Sequence, residues 1–305
     1  MRIFSTIVAL VIAVGFCGFA QAGIYSAGAD DDAIDAGIHY ASPLFVGWAT
    51  NVVDYLPAPG VAPAWTNTAN VLGPVTGANT RIVSLGDLNL SQLAAWRADP
   101  VSNPGPGTIT LSFDTAITNG PGADFAVFEN GMKVGTLVNA EFAYVEVSTN
   151  GVNFARFPCV YENYLNADLT TRTDGSIDLN GTGSKTATGY LSQDVTSVYN
   201  LAGKHINGYG TPFDLNALLD HELVVAGLVN LNEIYFVRVV DIPGDGSFTD
   251  SNGNPIFDAW VTVGSGGLDL AGIGVIHQVP EPATMCLLLV GGWGLCFRYR
   301  KRPQT

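Results

Sequence analysis

The chain opens on one basic residue, Arg2, and an apolar run from Ile3 to Ala20 interrupted only by Ser5, Thr6 and small glycines. The run closes on Ala20-Gln21-Ala22. A charge, a hydrophobic stretch and small residues flanking a cleavage point predict a secretory signal peptide over residues 1–22, removed by signal peptidase. A membrane anchor would be followed by basic residues, whereas acidic Asp30-Asp31-Asp32 comes next. From Gly23 to Gln278 short apolar runs alternate with Gly- and Pro-rich turns, predicting strands over 81–85, 108–113, 124–128, 142–148, 152–157, 234–240 and 268–277. Asn150-Gly151 sits between two of them, and a type I′ turn, which needs positive φ at both central residues, predicts a tight hairpin there. Helical signals are few: about two turns over 90–96, and one or two over 214–219 with Asp214 as N-cap. A final apolar run from Met285 to Phe297 precedes Arg298, Arg300, Lys301 and Arg302. Thirteen residues fall short of the roughly 20 that span a bilayer, but Ala283, Thr284 and snorkelling arginines extend the reach. The basic end fixes this C-terminal hydrophobic helix with its terminus on the cytoplasmic side.

No low-complexity linker divides residues 23–278. They are expected to form one all-β domain, a single β-sandwich or jelly-roll-like body with few short helices, between the signal peptide and a tail over 279–305.

Composition narrows this further. Charged residues are 13% of the chain, against about 25% in average soluble proteins, and glycines number 36. That excludes a disordered chain, a coiled coil and a charged helical bundle. The chain carries −14 overall, and residues 23–280 hold 8 basic against 26 acidic residues, a net −18. No basic patch is available to offset phosphate repulsion, so nucleic acid is not an expected partner. Of the four cysteines, Cys17 leaves with the signal peptide and Cys286 and Cys296 lie in the tail, so Cys159 has no disulfide partner in the body.

Val279-Pro280-Glu281-Pro282-Ala283-Thr284, one hydrophobic helix and an Arg-rich end follow one another in order. This tail resembles the PEP-CTERM sorting signal of bacterial exosortase systems. The same segment also goes by the name of the C-terminal region of an ice-binding protein, a name that describes the tail and implies no ice binding here. The resemblance implies export, transient retention in the inner membrane through the C-terminal helix, then processing near Pro280-Glu281-Pro282 by exosortase, a membrane-embedded cysteine protease. The protein would be its substrate, ending at the cell surface or in the extracellular matrix. The body has a resemblance of its own. Residues 119–131, with Asp124-Phe125-Ala126-Val127-Phe128-Glu129-Asn130-Gly131, are similar to a segment of a family of bacterial cell-surface proteins without an assigned activity. Ala202-Gly203-Lys204, 210–215 and 264–276 match further stretches of it. Asp269 stands at the first acid of that family's closing motif, and Ala271 replaces the second.

No catalytic constellation is found. His39, His205, His221 and His277 are scattered without zinc spacing, and His221-Glu222 reads as a solvated loop. Cys159 lies in an apolar segment and reads as an inert buried thiol. The run Gly264-Ser265-Gly266-Gly267 lacks a nucleophile elbow and a phosphate-loop lysine, and reads as a turn. The expected function is therefore a non-catalytic surface or matrix protein. The alternative is an extracellular carbohydrate-binding module that contacts exopolysaccharide, with Trp48, Trp65, Trp96, Trp260, Tyr161 and Tyr164 stacking on sugar rings unless they are core. A glycan hydrolase is the remote alternative, its paired carboxylates drawn from distant strands.

Calcium enters on electrostatic grounds. Acids stand at the ends of apolar strands, where burial is costly unless they are paired, and basic residues are scarce. A hard cation taking oxygen ligands would resolve this. The expected ligands are Asp124, Glu129, Asp241 and Asp258, with Asp250 and Asp269 behind them. An EF-hand starting at Asp250 is rejected: Pro255 stands where the loop needs Gly, and Val261 where it needs Glu.

Overall fold

The computed structural model describes residues 24–26, 35–134, 137–162, 167–171, 177–179, 192–193, 195–257 and 264–280. The signal peptide and the tail from Glu281 onward lie outside the described residues, so the expected C-terminal helix does too. Among the described residues no helix is long and apolar enough to cross a membrane.

Two antiparallel sheets pack face to face. In the first, Ile38–His39, Tyr209–Phe213, Phe125–Glu129 and Asp269–Val275 lie side by side. The last of these also pairs Val83–Ser84 near its start and Gly47–Trp48 at its end. The second sheet runs Ala155–Arg156, Ala143–Ser148, Ile234–Asp241, Thr108–Ile117, Asn51–Leu56. Because side chains alternate across a strand, each sheet presents one apolar face inward. Ile109, Leu111, Val145, Val147, Val237 and Val239 from the second sheet share a core with Phe125, Val127, Phe213, Ile273 and Val275 from the first. At its centre Phe125 stacks on Phe213 at 5.4 Å between centroids, and Phe157 closes edge-on at 5.0 Å from Phe213. Each such ring contributes about 1.5–3 kcal/mol of burial. The all-β sandwich expected from the alternation is what the chain forms.

A second cluster, with Phe142, Cys159, Tyr161, Ile206 and Phe257, lies beside the first. Lys204, wholly buried, reaches Asp35 and also donates to the Val198 carbonyl at 2.5 Å. Ser26 N–H donates to the same Asp35 carboxylate, and Tyr25 stacks on Tyr199 at 5.1 Å, so the segment following the expected cleavage point is held against the body.

The helical expectations hold with sharper ends. Asn89 and Gln92 close a capping box that starts the Leu90–Ala98 helix, and Asp214 caps the 3-10 turn Leu215–Leu218. The hairpin at Asn150-Gly151 needs correction. Ala143–Ser148 does pair with Ala155–Arg156, but the connection is wider than two residues. Only Gly151 has positive φ, and side chains satisfy the turn: Ser148 Oγ accepts from Gly151 N–H, and Asn150 Oδ1 accepts from Val152 and Asn153.

Candidate functional site

The outward face of the second sheet carries the site. In register across all five strands, Arg156, Glu146, Arg238, Thr110 and Asp54 form one rung. Each occupies an outward position because its strand neighbours, such as Val145, Val147, Val237 and Val239, fill the core. Glu146 is only 5% exposed and sits between the two arginines. Arg156 donates to its Oε1 through Nε and Nη2, both at 2.8 Å; Arg238 donates to Oε2 through Nε at 2.6 Å and Nη2 at 2.5 Å. Aromatic rings fix the guanidinium planes: Arg156 lies 4.2 Å over Tyr144 and Arg238 3.9 Å over Phe154. Tyr144 is itself pinned by donating its hydroxyl to the Thr249 carbonyl at 2.7 Å. With Nε and one Nη committed to Glu146, each arginine keeps further N–H donors, and both side chains remain partly exposed.

A wall stands over one side of this rung. Trp96, from the last turn of the capped helix, stacks on Phe248 at 6.0 Å and 14° between planes. The pair rests on Ala58, Leu88 and Leu93. Arg97, the next residue, pairs with Asp245 at 3.1 Å and reaches Ser247, tying the helix end to the loop that carries Phe248. The loop with Pro100, Pro104 and Pro106 continues the wall, and Tyr55, Leu56 and Val240 line the floor beside the charged rung. Together they enclose an open groove of about 850 Å³, within the ~300–1,000 Å³ range of small-molecule sites.

Of the aromatic candidates among the described residues, only Trp96 lines this groove. Trp48 packs on Phe45 and Phe128, and Tyr161 is wholly buried. Trp65 closes the short 3-10 turn Pro63–Trp65, while Trp260 and Tyr164 lie outside the described residues. The arginine–glutamate rung was missed from sequence: Glu146 lies four residues before Asn150 and Arg156 five after Gly151, so counting outward from a two-residue turn pairs Glu146 with Ala155 instead. Arg238 pairs Glu146 from far along the chain, and nothing local signals it.

The expected calcium ligands separate. Asp124 and Glu129 stand just before and at the end of one strand, about 17 Å apart at 3.4 Å per residue, too far to share an ion. Asp124 instead accepts from Gly120 N–H (2.7 Å), Leu215 N–H (2.7 Å) and His277 (2.8 Å), tying three loops together. Burial still raises its pKa above the usual carboxylate value. Asp250 accepts from Tyr161, Asn252 and Asn254 and organises its own turn. Asp258 lies outside the described residues. Glu129, Asp241, Asp269 and Asp87 lie near enough for their charges to act on one another, with Asp241 close to Gly86 and Gly267. Burial pushes Glu129 and Asp241 well above the usual carboxylate range, helped by the Asp269 charge on the first and the Asp87 charge on the second. Burial takes Asp269 up to about 7 despite hydrogen bonds from Ser84, Ser265 and Asn130. Among the described residues no group of three or more His, Cys, Asp and Glu side chains is placed to hold a metal ion.

The remaining candidates are structural. His221 caps the turn Glu222–Val225, its Nδ1 accepting from Leu223 N–H at 3.2 Å. Cys159 is buried, and burial pushes its thiol up to about 11. Of the sorting motif, Val279 and Pro280 are described, while Glu281, Pro282, Thr284 and the basic end lie outside. Val279 N–H donates to the Ala116 carbonyl at 2.9 Å and Gln278 bridges Ile117, so the tail leaves directly from the end of a core strand.

Residues 278–301 match the model of the PEP-CTERM protein-sorting motif. The motif supports export of the chain and its sorting by an exosortase as a surface protein. No curated protein matches the chain.

Proposed function

We propose that the body of this exosortase-sorted surface protein is a non-catalytic module that binds an extracellular glycan along the groove. The observation that carries the reading is the stacked Trp96–Phe248 wall beside the Arg156–Glu146–Arg238–Thr110–Asp54 rung. Pyranose rings offer apolar faces to an aromatic wall and hydroxyl edges to fixed charged donors and acceptors, and this groove presents both within one open channel. An open groove along a sheet face also suits a polymer, which must enter and leave along its length.

Hydrolysis is not favoured by the same geometry. Glu146 and Asp54 are the carboxylates that line the groove among the described residues, and three strand spacings separate them. At about 4.8 Å per spacing that is about 14 Å, beyond the roughly 9.5 Å limit for an inverting pair. Glu146 is moreover committed to two guanidiniums.

The test is a glycan array probed with the natively processed protein, alongside Trp96→Ala and Arg238→Ala. The reading expects binding to a polysaccharide or its oligomers that both substitutions weaken at least tenfold while circular dichroism stays unchanged. Binding that survives both substitutions intact would place the glycan elsewhere, and binding to no glycan at all would end the reading.

A further inference from the structure

Two of the buried acids, Asp241 and Asp269, carry a buried carboxylate oxygen without a hydrogen-bond partner among the described residues. Asp241 is 0% exposed; its Oδ1 accepts from Leu268 N–H at 2.8 Å, and its Oδ2 has no hydrogen-bond partner among the described residues. Asp269 is 4% exposed, and its Oδ1 is likewise unpartnered. An orphaned carboxylate oxygen out of water is costly, and the Asp87 and Asp269 charges raise the cost at Asp241. The ion pairs found among the described residues join other acids: Asp35, Asp124, Glu146 and Asp245. The backbone is shaped around the same spot. Gly267 has φ of +67°, and a Cβ there would stand 2.6 Å from Asp241 Oδ1 and 2.8 Å from the Gly86 carbonyl oxygen. Only glycine lets that carbonyl and that carboxylate close on the same strand end.

We propose that Asp241 and Asp269, with the Gly86 carbonyl oxygen beside them, form a calcium site that locks the two sheets together at this end of the sandwich. Asp241 ends a strand of one sheet and Asp269 begins a strand of the other, so an ion held by both spans the core. Two carboxylates, a carbonyl and water supply oxygen ligands of the kind Ca²⁺ takes in extracellular modules, whose dissociation constants lie around 10⁻⁴–10⁻³ M. The site is independent of the groove and concerns stability rather than glycan recognition.

The experiment compares thermal melting of the natively processed protein, stripped of metal at pH 8, in chelator and in Ca²⁺ at ten times its dissociation constant, with calorimetry giving that constant. Ligation at that level multiplies the folded-to-unfolded ratio about elevenfold, a rise of about 3–6 °C for a body of this size. Asp269→Asn and Asp241→Asn are expected to lose the rise, and Asp124→Asn, which alters a buried acid at the far end of a strand, to keep it. Coincident melting curves in calcium and chelator, with no heat of binding, would overturn the site. So would a full shift in both Asp241→Asn and Asp269→Asn. If a variant fails to fold, calorimetry on the unaltered protein still decides: saturable heat with Ca²⁺ supports the site, and its absence overturns it.

Discussion

Glu146→Gln is the most informative perturbation of the groove. The carboxylate is buried beneath two arginines and receives both bonds of each. A hydrogen bond to a charged group is worth about 1.5–3 kcal/mol, but the guanidiniums are 47% and 34% exposed, and water recovers part of what they lose. The amide also keeps one acceptor oxygen, so one arginine retains a partner. The expected net cost is about 1–2 kcal/mol, read as a fall of about 2–8 °C in melting temperature. Urea unfolding would measure it directly, since the m-value should be unchanged. Glycan affinity should fall as well, because the arginines lose the anchor that fixes their outward N–H groups. A loss within about 0.5 kcal/mol, the range of an ordinary surface substitution, together with unaltered binding, would refute the view that this rung is a preorganised floor.

Other consequences are open to measurement. Phe213→Ala removes the ring shared by Phe125 and Phe157 at the centre of the core, and should cost about 3–5 kcal/mol in denaturant unfolding. Lys204→Met leaves Asp35 buried without its cation and should destabilise by about 3–5 kcal/mol, much of it recovered by adding Asp35→Asn. Cys159, buried with its thiol pushed up to about 11, should resist alkylation at pH 8 in the folded protein and react only on unfolding. Intact-mass analysis of native material should show a chain that lacks residues 1–22 and everything beyond roughly Pro282; a mass that retains Arg298 to Thr305 would leave a plain anchor.

The parts of this molecule that were legible in its sequence are those fixed by local chemistry. Apolar runs bounded by turns located Ile234–Asp241 and Asp269–Val275, and the first six residues of Thr108–Ile117, since buried residues run along each strand. Asp214 announced its turn as an N-cap. Asn51–Leu56 escaped because it is an edge strand with four exposed residues and a register shift between Val52 and Asp54, which breaks the alternation. The two-residue turn at Asn150-Gly151 failed because Ser148 and Asn150 side chains offered the backbone a competing set of acceptors. The groove was legible only as Trp96: its partner Phe248 and the pairing of Glu146 with Arg238 depend on strand order, which local patterning does not encode. For the acids, scarcity of basic residues correctly signalled unpaired burial, but could not separate Asp124, whose partners are backbone N–H groups, from Asp241 and Asp269, whose oxygens are orphaned.

The central claim is that the sheet-face groove of a sorted surface protein holds a glycan. The most direct measurement is isothermal titration of the natively processed protein, and of Trp96→Ala, with the oligosaccharide that ranks first on the array. The account predicts saturable binding by the unaltered protein and at least tenfold weaker binding, a loss of about 1.4 kcal/mol or more, by the folded Trp96→Ala variant. Equal affinity for the two proteins would contradict it.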